Sequence, residues 1–312
     1  MKNIRFFVAM FIAVSVSAGS WAIELSDIAN TVKSVGGKAG LPTGNSSASA
    51  PIDDALKIGT ALFKAVDNDL GPVEEYFLGR EVSARLLGAY GQPLPQEDKI
   101  SQYVTSVGTT LALGSRAPYL YHPYTFVVLQ ANEMNAFAAP GGIIFVTTGM
   151  LKFLKSEDEL AGVLGHEIAH VELRHGVKAV SQEGKLDFLK TTKDVALKQV
   201  DTGSSAGNQV LDQISGPIAD SVMGGLRNGY SVELEQEADL RSLEICAGVG
   251  YAPKAFVDVL ARFKQTTSSY GGAKYPQNRE AAAAARVNQI PGASGLTVGA
   301  ERTERFNKTM NG

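Results

Sequence analysis

The run His166-Glu167-Ile168-Ala169-His170 constrains this chain more than any other five residues in it. Residues i and i+4 of an α-helix lie one turn apart on the same face, so the two imidazoles can converge on one metal ion. Glu167 is turned by about 100° from His166 around the same helix. That sets a carboxylate beside the metal's open position rather than on the metal, the arrangement of a catalytic Zn²⁺ with a water and an adjacent general base. The competing reading is an exposed helix with two surface histidines. The flanks oppose it: Leu160, Val163, Leu164, Ile168, Val171 and Leu173 make the segment apolar enough to be buried. Histidines on a buried helix need partners.

The start of this helix is also legible. Ser156 followed by Glu159 forms a capping box, and the acids at 157, 158 and 159 suit the positive end of the helix dipole. The pattern predicts a helix from about 157 to about 180, with Gly176 inside it.

A structural zinc site is closed by four protein ligands, and a catalytic one has three plus water. Two histidines therefore need a third ligand. The pattern H-E-x-x-H-x-x-G-x-x-H requires glycine at 173 and histidine at 176, and the chain has Leu173 and Gly176. His175 comes one residue early and is expected to point off the metal-facing side. The stretch from Tyr230 to Asp239 offers an alternative, with Glu235 and Asp239 spaced i, i+4 on one helix face. Glu235 can ligate while Asp239 accepts the free N–H of a ligand histidine, fixing its tautomer. An acidic solvated face is the other reading of this stretch, and Glu233 and Glu237 fit it. From the stretch alone the two readings of Glu235 stand level.

These residues carry a resemblance. The segment 159–175 around the two histidines, the segment Asn135 to Val146 upstream and Glu235-x-x-x-Asp239 downstream resemble the HtpX / CAAX-prenyl-protease family of zinc metalloendopeptidases, peptidase family M forty-eight. Within it the likeness is to the soluble periplasmic BepA/LoiP-like branch, and it covers roughly residues 72–265. The resemblance implies an α+β, mainly helical, zincin-like (gluzincin) metallopeptidase with a small sheet beside the H-E-x-x-H helix. It implies one Zn²⁺ per chain held by His166, His170 and Glu235, with Glu167 as the base and Asp239 orienting a ligand histidine. It also implies that Asn135, Ala136 and Phe137 line the substrate cleft; for Phe137 plain core packing is an equal reading. The chain departs from the family pattern at Val232, where an arginine is usual, and at Tyr275-Pro276, where the family often has His-Pro. No histidine follows His175. The hydroxyl of Tyr275 is a candidate transition-state donor, beside the plain alternative of a surface Tyr-Pro turn. Arg279 and Arg286 are both candidates for the arginine expected just beyond.

The N-terminus reads as a secretory signal, with Lys2 and Arg5 before an apolar run from Phe6 to Val16 and a small-residue cleavage site at Ser20-Trp21-Ala22. That run is too short to span a bilayer. No cysteine stands near it, so a lipobox is not expected, and no other apolar stretch is long enough to cross a membrane. The expected address is periplasmic or secreted. Cleavage after Ala22 leaves about 290 residues and takes the formal net charge from −3 to −5, since Lys2 and Arg5 are the only charges removed. With no basic patch and no nucleic-acid motif, nucleic acid is not an expected partner. Cys246 is the only cysteine, which excludes an internal disulfide.

The expected organisation is a signal over 1–22, a leader and Gly/Ser-rich linker over 23–51, a metallopeptidase domain over 52–290 and a mobile C-terminal tail over 291–312. Strands are predicted at 125–130 and 142–147. An edge strand near Asn135–Phe137 offers unpaired N–H and C=O groups with which an extended peptide can pair. The insertion 181–229, interrupted by glycines, is a candidate lid or a plain helical hairpin. The expected function is a periplasmic zinc endopeptidase acting on unfolded or misassembled envelope proteins, with outer-membrane protein assembly components as further candidate partners. The alternatives are a zinc-stabilised chaperone or assembly factor with little proteolysis, which the intact Glu167 argues against, and a structural zinc site, which lacks a fourth ligand.

Overall fold

The computed structural model describes residues 71–182, 219–220, 222–265 and 278–311. The expected signal and linker, the body of the 181–229 insertion and Tyr275 lie outside these residues. Nearly all of the described residues belong to one compact unit, Glu75–Ala179 with Ser221–Gly312.

The fold is mainly helical with one small sheet. In chain order the elements are α1 (Pro72–Tyr90), α2 (Lys99–Leu113), β1 (Thr125–Leu129), β2 (Ala136–Ala139), β3 (Ile143–Thr147), α3 (Thr148–Phe153), α4 (Glu157–Glu172), α5 (His175–Gln182), α6 (Val232–Gly248), α7 (Pro253–Gln265), α8 (Arg279–Val287) and α9 (Ala300–Asn311). Among the described residues no helix is long and apolar enough to cross a membrane.

Helix α4 is the axis of the unit. Every residue from Glu157 to Val171 is buried, the apolar ones and the ionisable ones alike, so the latter need partners inside the fold. Ser156 caps it, accepting from the Glu159 N–H at 3.2 Å, and Glu159 reaches back to the Lys155 N–H at 2.7 Å. Helix α6 lies close against α4. A Cβ on Gly165 would stand 3.0 Å from Ser242 Oγ, and Ser242 Oγ donates to the Gly162 carbonyl at 2.8 Å. Small residues at this crossing let the backbones approach and bring the start of α6 over the middle of α4.

The sheet has the order β1-β3-β2. Strand β3 runs parallel to β1 and antiparallel to β2. The β2–β3 turn, Pro140-Gly141-Gly142, uses positive φ at both glycines (73° and 93°), a region where a side chain is strained. Strand β2 packs toward α4, so the sheet presents this edge to the helix that carries the two histidines.

Two expectations are corrected. The helix predicted to run unbroken to about 180 stops at Glu172. Arg174 takes a left-handed conformation, φ 56°, and α5 starts anew at His175. A non-glycine residue there costs about 1–2 kcal/mol; Arg174 Nε is held by Glu75 Oε2 at 2.9 Å. The tail expected to be mobile contains α9, which packs on α4 and α2 and buries Phe306. Its Arg305 grips Glu157 at 2.6 and 2.7 Å and its Arg302 grips Asp158 at 2.7 and 2.9 Å, while Arg262 from α7 holds Glu159 at 2.6 and 2.9 Å. The acids read as dipole partners of α4 are thus also anchors for three arginines.

Candidate metal centre

The spacing of His166 and His170 does what an i, i+4 pair should on α4: the two Nε2 atoms meet 2.9 Å apart. Helix α6 begins at Ser231, whose hydroxyl accepts from the Leu234 N–H, and its first turn carries Glu235. Glu235 Oε2 lies 3.5 Å from His166 Nε2, and Glu235 Oε1 lies 3.9 Å from His170 Nε2. One donor atom from each of the three residues falls within 4.8 Å of the others, and all three residues are buried. Glu235 Oε1 accepts the Tyr230 N–H at 3.1 Å. Its Oε2 has no aligned hydrogen bond, although Arg279 Nη1 stands 3.1 Å away. Two nitrogens facing each other beside an under-satisfied buried carboxylate are a set of lone pairs that a divalent cation fits.

The second ring of contacts is dense. His166 Nδ1 lies 3.0 Å from Asp239 Oδ1, off the ideal hydrogen-bond line. Asp239 is held in turn by a bidentate Arg279 with both contacts at 2.7 Å. His170 Nδ1 lies 2.9 Å from His175 Nδ1, and His175 Nε2 lies 3.2 Å from Glu237 Oε2.

The electrostatics divide the histidines. Burial opposes a charge on His166, but Asp239 and Glu235 outweigh it and raise the imidazole to about 9. Burial pushes His170 well below its usual range, and the neighbouring His166 charge adds to this. Burial also carries His175 down to about 4 against the pull of Glu237. Glu235 shows the reverse balance: burial favours its neutral form, yet His166, His170 and Arg279 hold it far below the usual carboxylate range.

A cleft opens over this group. It is lined by Asn135, Ala136 and Phe137 from the sheet edge, by His166, Glu167 and His170 from α4, and by Leu226 and Tyr230. Phe137 is also core, only 1% exposed with its ring 4.6 Å from that of Tyr90. Asn135 Oδ1 accepts the Ala136 N–H at 3.0 Å, and the Asn135 carbonyl accepts the Thr147 N–H at 3.0 Å. The Tyr230 ring lies 4.9 Å from that of His170. Its hydroxyl is buried with no hydrogen-bond partner. Burial, then Glu167 and Glu235, push that phenol far above its usual range, which keeps it a donor.

The sequence profile of Peptidase family M48 matches residues 98–287. The chain belongs to that family. The chain is similar to the "Beta-barrel assembly-enhancing protease" of Escherichia coli (strain K12), 27% identical over 170 residues, which are 54% of this chain and 34% of that protein. It is similar to the "Metalloendopeptidase OMA1, mitochondrial" of Bos taurus, 34% identical over 137 residues, or 43% of this chain and 24% of that protein. A third relative is the "Mitochondrial metalloendopeptidase OMA1" of Schizosaccharomyces pombe, 26% identical over 208 residues, 66% of this chain and 57% of that protein. The chain thus spans about a third or less of the first two relatives.

The structure separates the two candidate arginines: Arg279 is buried against Asp239 and Glu235, whereas Arg286 pairs with Glu244 on the far turns of α6. The sequence reading missed two residues of the site. His175 was expected to point away, and the break at Arg174 turns it onto His170. Tyr230 carries no chemical pattern of its own in the sequence, being a tyrosine just before a helix cap. Of the expected site residues, Tyr275 lies outside the described residues.

Proposed function

We propose that the chain is a zinc endopeptidase that cuts extended or unfolded polypeptides at this centre. The observation that carries the proposal is the convergence of His166, His170 and Glu235 with Glu167 in a cleft lined by the edge strand β2. His166, His170 and Glu235 hold the metal, and their donor set suits Zn²⁺. When bound, that ion polarises the scissile carbonyl and acidifies a water beside it. Glu167 takes the proton from the attacking water and returns it to the leaving amine. Asp239 orients His166, and Arg279 orients Asp239.

The edge of β2 offers main-chain groups for pairing with an extended substrate, which tolerates many side chains. A folded protein offers few such segments, so unfolded chains are the favoured substrates. Tyr275 is one candidate donor to the developing oxyanion, and Tyr230, which lines the cleft and has a buried hydroxyl without a hydrogen-bond partner, is a second. Export to the periplasm rests on the signal over 1–22. A role near β-barrel assembly is prompted by the name of the Escherichia coli relative, and outer-membrane assembly components are the candidate partners that follow from it.

The deciding experiment is digestion of an unfolded protein such as casein by the mature chain, with and without a chelator. Cleavage that stops with the chelator and returns with zinc supports the proposal. Tight zinc binding with no cleavage of any unfolded chain would replace it with a binding-only role.

A further inference from the structure

His175 supplies none of the three converging donor atoms, yet it is fully buried and engaged at both ring nitrogens. Its Nδ1 faces His170 Nδ1 at 2.9 Å and its Nε2 faces Glu237 Oε2 at 3.2 Å. Glu237 is half exposed and lies 3.5 Å from Lys178 Nζ. A line of polar contacts therefore runs from a surface ion pair to the back of a buried imidazole on the candidate metal site.

Proton bookkeeping gives this line a direction. A carboxylate only accepts, so the proton between His175 and Glu237 sits on His175 Nε2. A neutral imidazole carries one N–H, so His175 Nδ1 is bare and accepts. The proton between the two rings then belongs to His170 Nδ1. That leaves His170 Nε2 as a bare lone pair aimed toward His166 and Glu235.

We infer that Glu237, acting through His175, fixes the tautomer and ring orientation of His170 and so prepares it as a metal ligand. The inference rests on the metal reading proposed above. Asp239 faces His166 directly, whereas at His170 the same service is extended by one imidazole and ends on the surface. Both are positioning residues, since neither touches the metal or the substrate. Replacing such outer partners typically weakens metal binding by about 10–100-fold. The relay exists because Arg174 breaks the helix. On an unbroken helix His175 would sit five residues past His170, about 140° around the axis.

The test uses the mature chain and reads zinc affinity by chelator competition, beside urea unfolding of the metal-free protein. His175→Phe should weaken zinc by about 10-fold or more. Glu237→Ala should weaken it several-fold with the metal-free unfolding midpoint unmoved. Glu237→Gln should recover much of the loss, because the amide oxygen still accepts from His175 Nε2; a purely electrostatic role for Glu237 predicts equal losses in Ala and Gln. Nitrogen-15 NMR of the metal-free wild type should find His170 protonated at Nδ1. Wild-type zinc affinity in both His175→Phe and Glu237→Ala overturns the inference, as does a wild-type His170 protonated at Nε2. If His175→Phe does not fold, the exposed Glu237 substitutions decide. If the folded wild type binds no zinc, the metal reading itself falls, and the tautomer measurement still judges the relay.

Discussion

Arg279 closes on Asp239 with two parallel contacts of 2.7 Å, both side chains buried, and lays its third nitrogen 3.1 Å from Glu235 Oε2. One guanidinium thus holds together a candidate metal ligand, Glu235, and the acid that faces another, His166. Removing one partner of a buried pair leaves an uncompensated charge. Arg279→Met should destabilise the metal-free protein by about 3–5 kcal/mol, read by urea denaturation in the presence of a chelator. Added zinc should recover part of the loss. An unchanged unfolding midpoint would show that the pair contributes nothing net.

Zinc should raise the unfolding temperature with the logarithm of its free concentration above the dissociation constant, because only the folded chain brings His166, His170 and Glu235 together. At 100 times the dissociation constant the gain should be about 2.7 kcal/mol. Glu235→Ala should abolish most of this shift. Calorimetry that finds the full shift in that variant removes Glu235 from the site.

Glu167→Gln should keep the metal and the fold and lose hydrolysis. The amide has nearly the same shape and cannot take up a proton at neutral pH. Loss of a general base costs roughly 10²–10⁴-fold in rate. Wild-type cleavage of casein by this variant would show that another group moves the proton.

Tyr230→Phe and Tyr275→Phe discriminate between two candidate donors. The Tyr230 hydroxyl has no partner to lose, so its removal should leave stability unchanged or slightly higher. If Tyr230 donates to the oxyanion, its variant should lose roughly 10²-fold in kcat with KM little changed, while Tyr275→Phe stays near wild type. The reverse ranking in a steady-state assay assigns the role to Tyr275.

Arg302→Ala should destabilise the fold without touching the centre directly. Among the described residues it leaves the fully buried Asp158 with the Ala252 N–H at 2.9 Å. Arg302 is partly exposed, so the loss should be about 2 kcal/mol, below the 3–5 kcal/mol of a wholly buried pair. Equal midpoints for variant and wild type in urea would show that α9 is not an anchor of α4.

The sequence by itself determined the chemistry and the local helices. His166, Glu167 and His170 are fixed relative to one another by helical periodicity, and Ser156 and Ser231 mark where their helices begin. The strands over 125–129 and 143–147 follow from β-branched runs. These features depend on neighbours within a turn or two, which a linear pattern records. Only the tertiary structure decided how far Glu235 stands from the histidines, which arginine enters the site and where the C-terminal helix docks. Each depends on groups that meet across more than 30 residues of chain, as Arg279 meets Asp239 and Arg302 meets Asp158. The sharpest case is His175. Its place in the sequence turns it away from His170 on a continuous helix, and a single left-handed residue, Arg174, held by Glu75 from a distant helix, turns it back. Local periodicity cannot foresee that turn, because the force that sustains the strained backbone comes from elsewhere in the fold.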